Sequence, residues 1–263
     1  MNKNFFSPIP KILAHRGDSA KFPENTLPAF LSAQALGVDV IETDVHITRD
    51  EKVIIWHDDT LDRETDGSGT VEAHTMEELL SFDAGYHFTP DSGKSYPYRG
   101  KGVTMLPFEE ALLKLPDMRF NVDLKTKGTR LADQFISIIR RHKAEDRVLC
   151  ASFHASNLRY VREKAPEIGT SMATSEVLKL LIAQKLHLPI DTRRIPGIAF
   201  QVPVNQGPIT VITPGFIKRF HDLGMFIQVW TINDAPLMQR LLDLGVDGIF
   251  TDDPRLLIEV ASS

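Results

Sequence analysis

Short apolar runs alternate with longer stretches of helical periodicity along nearly the whole chain. The apolar runs predict strands over residues 11–14, 38–45, 119–125, 147–153, 169–173, 197–202, 225–230 and 248–251. Between them the period predicts helices over 26–35, 107–115, 131–142, 156–164, 176–186, 214–223, 235–244 and 254–260. Punctuation supports these bounds. Thr213-Pro214 is an N-cap followed by proline in the first turn. Gly37, Gly224 and Gly245 stand where helices should stop. Eight strand–helix alternations predict an α/β fold, a (β/α)8 barrel. A doubly wound open sheet would carry a glycine-rich phosphate loop after its first strand, and His15-Arg16-Gly17-Asp18 is not one.

Residues 58–103 break the rhythm. They lack a long apolar run and hold six glycines and three of the four tyrosines. Thr75-Met76-Glu77-Glu78 reads as a capping box opening one short helix. The expectation is one barrel domain over residues 1–263, with 58–103 inserted after the second strand on the loop face.

Composition narrows the function. The chain has 263 residues and a net charge of −5 without a basic run, which argues against nucleic acid as a partner. No stretch is apolar for long enough to span a bilayer, so no stable membrane insertion is expected. A lone cysteine, Cys150, excludes an internal disulfide. The first residues, Met1 to Phe6, lack the apolar core of a secretory signal, and the cytoplasm is the expected location. Oligomeric state is not legible.

Candidate chemistry lies at the strand ends. The first strand stops in His15-Arg16-Gly17, an acid/base group and a fixed cation on a tight turn. In Val40-Ile41-Glu42-Thr43-Asp44-Val45, Glu42 and Asp44 share one face. Alone, such a pair reads as an edge strand with its acids in water. A second pair, Asp123 and Lys125, closes the strand expected beside it. Three carboxylates without cysteine suit a hard ion, Mg2+ or Ca2+, and Lys125 suits a substrate oxyanion. Residues 53–57, after the turn at Asp50-Glu51, should fold back as a hairpin and bring His57 to the same rim. His15 and His57 are then candidates for general acid and base. Phe153 and Trp230 read equally well as pocket wall or core. Asp252 reads equally well as a helix cap or as a site residue, and His46 as lying past its strand with no role. His154 is given no role, nor are His74, His87, His142, His187 and His221.

Taken together, these residues resemble the glycerophosphodiester phosphodiesterase family, from Ile12 to about Leu257. The resemblance is carried by His15-Arg16-Gly17, Pro23-Glu24-Asn25-Thr26, Glu42-Thr43-Asp44, His57-Asp58, Asp62 to Gly67, Val229-Trp230-Thr231 and Gly245 to Asp252. It implies a barrel with a small subdomain inserted after the second strand. It implies a divalent metal on Glu42, Asp44 and Asp123, an acid/base pair His15 and His57, and phosphate ligands Arg16 and Lys125. The family usually has glutamate where this chain has Asp123, and often an acid where it has His154. The implied reaction is hydrolysis of a small-molecule glycerophosphodiester to sn-glycerol 3-phosphate and an alcohol. The rival readings are a lysophospholipase D-type phosphodiesterase and a non-catalytic barrel that binds phosphodiesters. A metal-dependent amidohydrolase would carry His-x-His on the first strand, which is absent.

Overall fold

Strands Ile12–His15, Val40–Ile47, Arg119–Leu124, Val148–Ala151, Gly169–Thr170, Ala199–Val202, Phe226–Val229 and Gly248–Thr251 run parallel around a nearly closed barrel. The computed structural model describes residues 4–186, 188–191, 195 and 197–262, so His187 lies outside the described residues. The ladder is unbroken from Gly169–Thr170 round to Ala199–Val202. The ring then closes through the parallel bridge Ser171–Ala199, with Ile198 N–H donating to Thr170 O at 3.0 Å.

Helices follow the strands as the apolar period predicts. Leu27–Leu36 and Ala235–Leu244 stop at Gly37 and Gly245, both left-handed, where a side chain would be strained. Pro214–Asp222 starts on Thr213, whose hydroxyl accepts from Phe216 N–H. Their apolar faces bury Phe30, Phe108 and Phe135 in one cluster, and Phe216 and Phe220 in another, where they pack on Phe200 of the strand Ala199–Val202.

Inside the barrel the side chains form layers, because alternate residues point inward. At the bottom, Phe5 and Phe6 pack with Leu13, Val40, Leu149 and Phe250. Above them lies a polar layer, in which Gln201 Nε2 donates to Asn121 Oδ1 at 2.7 Å and to Gln228 Oε1 at 2.9 Å. In the register of the second and third barrel strands, Glu42 stands opposite Asn121, and Asp44 opposite Asp123.

After the second strand the chain reverses at a turn in which Glu51 N–H donates to Thr48 O. Val53–Ile55 pairs antiparallel with Val45–Ile47 and with the two-residue strand Leu106–Pro107. The segment between holds its own cluster around Trp56, Leu61, Val71 and Leu79. Its helix Met76–Leu80 opens on the Thr75/Glu78 capping box. A small hairpin, Asn205–Gln206 with Ile209–Thr210, follows the sixth barrel strand.

Candidate active site

The first barrel strand ends in a turn that only a glycine completes. Arg16 has φ +59° and Gly17 φ +87°, and a Cβ on Gly17 would stand 2.8 Å from the backbone of Ala29. The turn points Arg16 N–H at Glu42, at 2.9 Å from its carbonyl and 3.2 Å from its carboxylate. The first and second strands are thereby locked at the level of the acids.

Glu42, Asp44 and Asp123 are all buried. Lys125 Nζ lies 2.8 Å from both Asp44 Oδ1 and Asp123 Oδ2. Asn25 Nδ2 donates to Asp44 Oδ2 at 3.1 Å, and Arg16 Nε is 3.6 Å from the same oxygen. Burial opposes charge on Asp44, yet Lys125 and Arg16 prevail and hold it below the ordinary carboxylate range. Burial and the Asp44 charge push Glu42 upward. Burial likewise raises Asp123, against the pull of Lys125. The three acids face two permanent cations, Arg16 and Lys125, with the His15 imidazole beside Glu42, yet Asp123 Oδ1 is still buried without a partner. Such a set of hard oxygen donors fits a divalent cation. Among the described residues, no three histidine, cysteine, aspartate or glutamate side chains stand converged in metal-holding geometry. The Lys125 ammonium bridges two of the three acids instead.

Both candidate histidines are held through Nδ1 by an aspartate. His15 Nδ1 is 2.6 Å from Asp252 Oδ1, and its Nε2 is 3.9 Å from Glu42 Oε2. Asp252 also accepts from Asn233 Nδ2 at 2.6 Å and Ser19 Oγ at 3.3 Å. Burial works against the His15 imidazolium, but Glu42 and Asp252 outweigh it and raise its pKa. His57 Nδ1 is 2.6 Å from Asp58 Oδ1. The His57 imidazole lies near enough to Asp44 and Asp123 to favour their charged forms.

Lys125, Phe153 and Trp230 stand just past their strand ends. Phe153 is 62% exposed, packs edge-on against Trp230 at 6.2 Å, and lies 5.6 Å from Lys125 Nζ. Phe153 is therefore not core.

The structure corrects the expectation for His46 and decides against the helix-cap reading of Asp252. The cap of the last helix, Pro254–Ala261, is Asp253, which accepts from Leu256 N–H; Asp252 turns to His15 instead. His46 belongs to the second strand and is buried, with Nε2 3.3 Å from His57 O and Nδ1 3.5 Å from Thr126 Oγ1. Burial pushes its pKa below the ordinary histidine value, and its Nε2 contact braces the backbone of His57. His154 Nε2 meets Lys125 O at 3.1 Å. Asn25 and Asn233 were missed. Only the Pro23-Glu24-Asn25-Thr26 motif pointed to the first of them.

The profile of the glycerophosphoryl diester phosphodiesterase family matches residues 15–256. The chain is 30% identical over 252 residues to a glycerophosphodiester phosphodiesterase of Caldanaerobacter subterraneus subsp. tengcongensis, covering 95% of this chain and 96% of that one. It is 31% identical over 258 residues to a glycerophosphodiester phosphodiesterase of Bacillus altitudinis, covering 95% and 97%. Among solved structures it resembles an Oleispira antarctica phosphodiesterase in complex with the product sn-glycerol-3-phosphate. That likeness has a TM-score of 0.82 at 24% identity, over 98% of this chain and 99% of that one.

Proposed function

Since the chain belongs to the glycerophosphoryl diester phosphodiesterase family and is a phosphodiesterase of that class, we propose that it hydrolyses small glycerophosphodiesters to sn-glycerol 3-phosphate and an alcohol such as choline or ethanolamine, through a His15/His57 acid–base pair. The observation that carries this reading is the pair of aspartate-held imidazoles, each 2.6 Å from its carboxylate, beside two cations braced on buried acids.

Glu42, Asp44 and Asp123 would hold the divalent ion, Mg2+ or Ca2+, which when bound polarises a phosphoryl oxygen. Arg16 and Lys125 face the phosphate and offset the charge that grows on its oxygens in the transition state. His15 takes the proton of the attacking hydroxyl, which is either water, giving sn-glycerol 3-phosphate directly, or the neighbouring glycerol hydroxyl, giving a cyclic phosphodiester that a water then opens to sn-glycerol 3-phosphate. His57 delivers a proton to the leaving alkoxide. Each aspartate fixes the tautomer and aim of its imidazole. Phe153 and Trp230 form an apolar wall for the substrate. Residues 58–103 act as a subdomain inserted on the loop face, which supplies Asp58 to the site.

A coupled assay for sn-glycerol 3-phosphate release, over a panel of glycerophosphodiesters with and without chelator, tests the reading. Replacing His15 or His57 by alanine should lower kcat by about 10^2- to 10^4-fold while the fold survives. A nearly active His57→Ala enzyme would overturn the acid–base assignment. Activity that survives complete metal removal would overturn the role given to the three acids.

A further inference from the structure

One carboxylate ties the two halves of the site together. Glu24, in the loop after the first strand, accepts from Arg16 Nη1 at 2.8 Å. The same Glu24 oxygen accepts from Arg63 Nη2 at 2.6 Å, and its second oxygen from Arg63 Nη1 at 3.3 Å. Arg63 Nε donates in turn to Asp58 Oδ2 at 2.5 Å, and Asp58 holds His57. Arg63 Nη1 also meets Glu64. A single chain of charged hydrogen bonds therefore runs Arg16–Glu24–Arg63–Asp58–His57, joining loops that lie 39 residues apart in sequence.

Its members are unequally wet. The Glu24 side chain is 19% exposed and that of Arg63 44%, so their contact at the rim is worth little as a stability device. Its geometric consequence is larger. The guanidinium is a rigid planar fork, and here the fork spans Asp58 and Glu24 at once. An imidazole aimed by such a partner is displaced when the partner shifts.

We propose that Glu24 is a positioning residue for the reaction. It sets Arg16 and, through Arg63 and Asp58, the orientation of His57, so that the phosphate-facing cation and the acid are aligned together. This rests on the roles given above to Arg16 and His57.

Two measurements test it. In Glu24→Gln, kcat should fall by about 10- to 100-fold. Arg63→Met should fall in the same range, and the double variant should lose no more than about the worse single, because both act on one chain. Multiplying losses, or a Glu24→Gln enzyme with wild-type kcat while His57→Ala is dead, would overturn the proposal and leave the acid–base reading intact. An active His57→Ala enzyme would instead sink the acid–base reading. The second measurement does not need turnover. The His57 Nδ1 15N resonance, assigned by its disappearance in His57→Gln, should move in Glu24→Gln. Arg63→Lys, which keeps the charge without the fork, should move it too and serves if Glu24→Gln folds poorly. An unmoved resonance in a folded variant would show that Glu24 only anchors the inserted segment.

Discussion

At the scale of single residues, the charged groups gathered here differ in how visible they are from sequence. His15, Arg16, Asp123 and Lys125 announce themselves because they end apolar runs, and Glu42 and Asp44 because they interrupt one, where a charge needs a reason. Asp252 does not, because it contacts a histidine 237 residues away and adjoins Asp253, which takes the cap. Nothing local distinguishes the two aspartates. Replacing Asp252 by asparagine keeps the shape but removes the charge that, after that of Glu42, raises His15. In Asp252→Asn, kcat for glycerophosphodiester hydrolysis should fall by about 10- to 100-fold with KM little changed. A variant with wild-type kcat in steady-state kinetics would show that Asp252 is structural only.

At the scale of elements, the apolar period located the barrel strands and helices within a few residues, since burial on the barrel wall enforces that period. It missed Leu106–Pro107 and the hairpin of Asn205–Gln206 with Ile209–Thr210, because a two-residue strand has no period to read. The turn after the first strand shows how one backbone angle sets a site. At Gly17 an alanine meets both a left-handed φ and the backbone of Ala29 at 2.8 Å. The left-handed conformation alone costs about 1–2 kcal/mol. The close approach also forces the first helix, Leu27–Leu36, away from the strand end. Gly17→Ala should therefore lower Tm by several degrees and depress activity. An unchanged melt would show that the turn can relax.

At the scale of the whole molecule, the barrel is closed below as well as around. The 3-10 turn Asn4–Phe6 tucks two aromatic rings under the strands. Phe6 stacks on Phe226 with ring centroids 4.0 Å apart. Arg119 Nη1 donates to Phe5 O at 2.9 Å and to Pro8 O at 2.6 Å, which fixes the segment against the third barrel strand. Removing a buried phenylalanine costs about 3–5 kcal/mol. Phe6→Ala should therefore lower Tm by about 10 °C in a calorimetric scan, at roughly 2–4 °C per kcal/mol for a chain of this size. A melt shifted by less than a degree would show that the plug adds little. Alternation determined the barrel, and its interruptions marked out the odd segment and the charged residues of the strands, because burial and turn chemistry act between neighbours in the chain. The tertiary structure alone decided the partners. Register set Asp44 against Asp123, the return of the last strand beside the first brought Asp252 to His15, and the fold-back after the second strand let Arg63 reach Glu24. Hydrogen bonds and ion pairs act over a few ångströms of space, and distance along the chain carries no record of them.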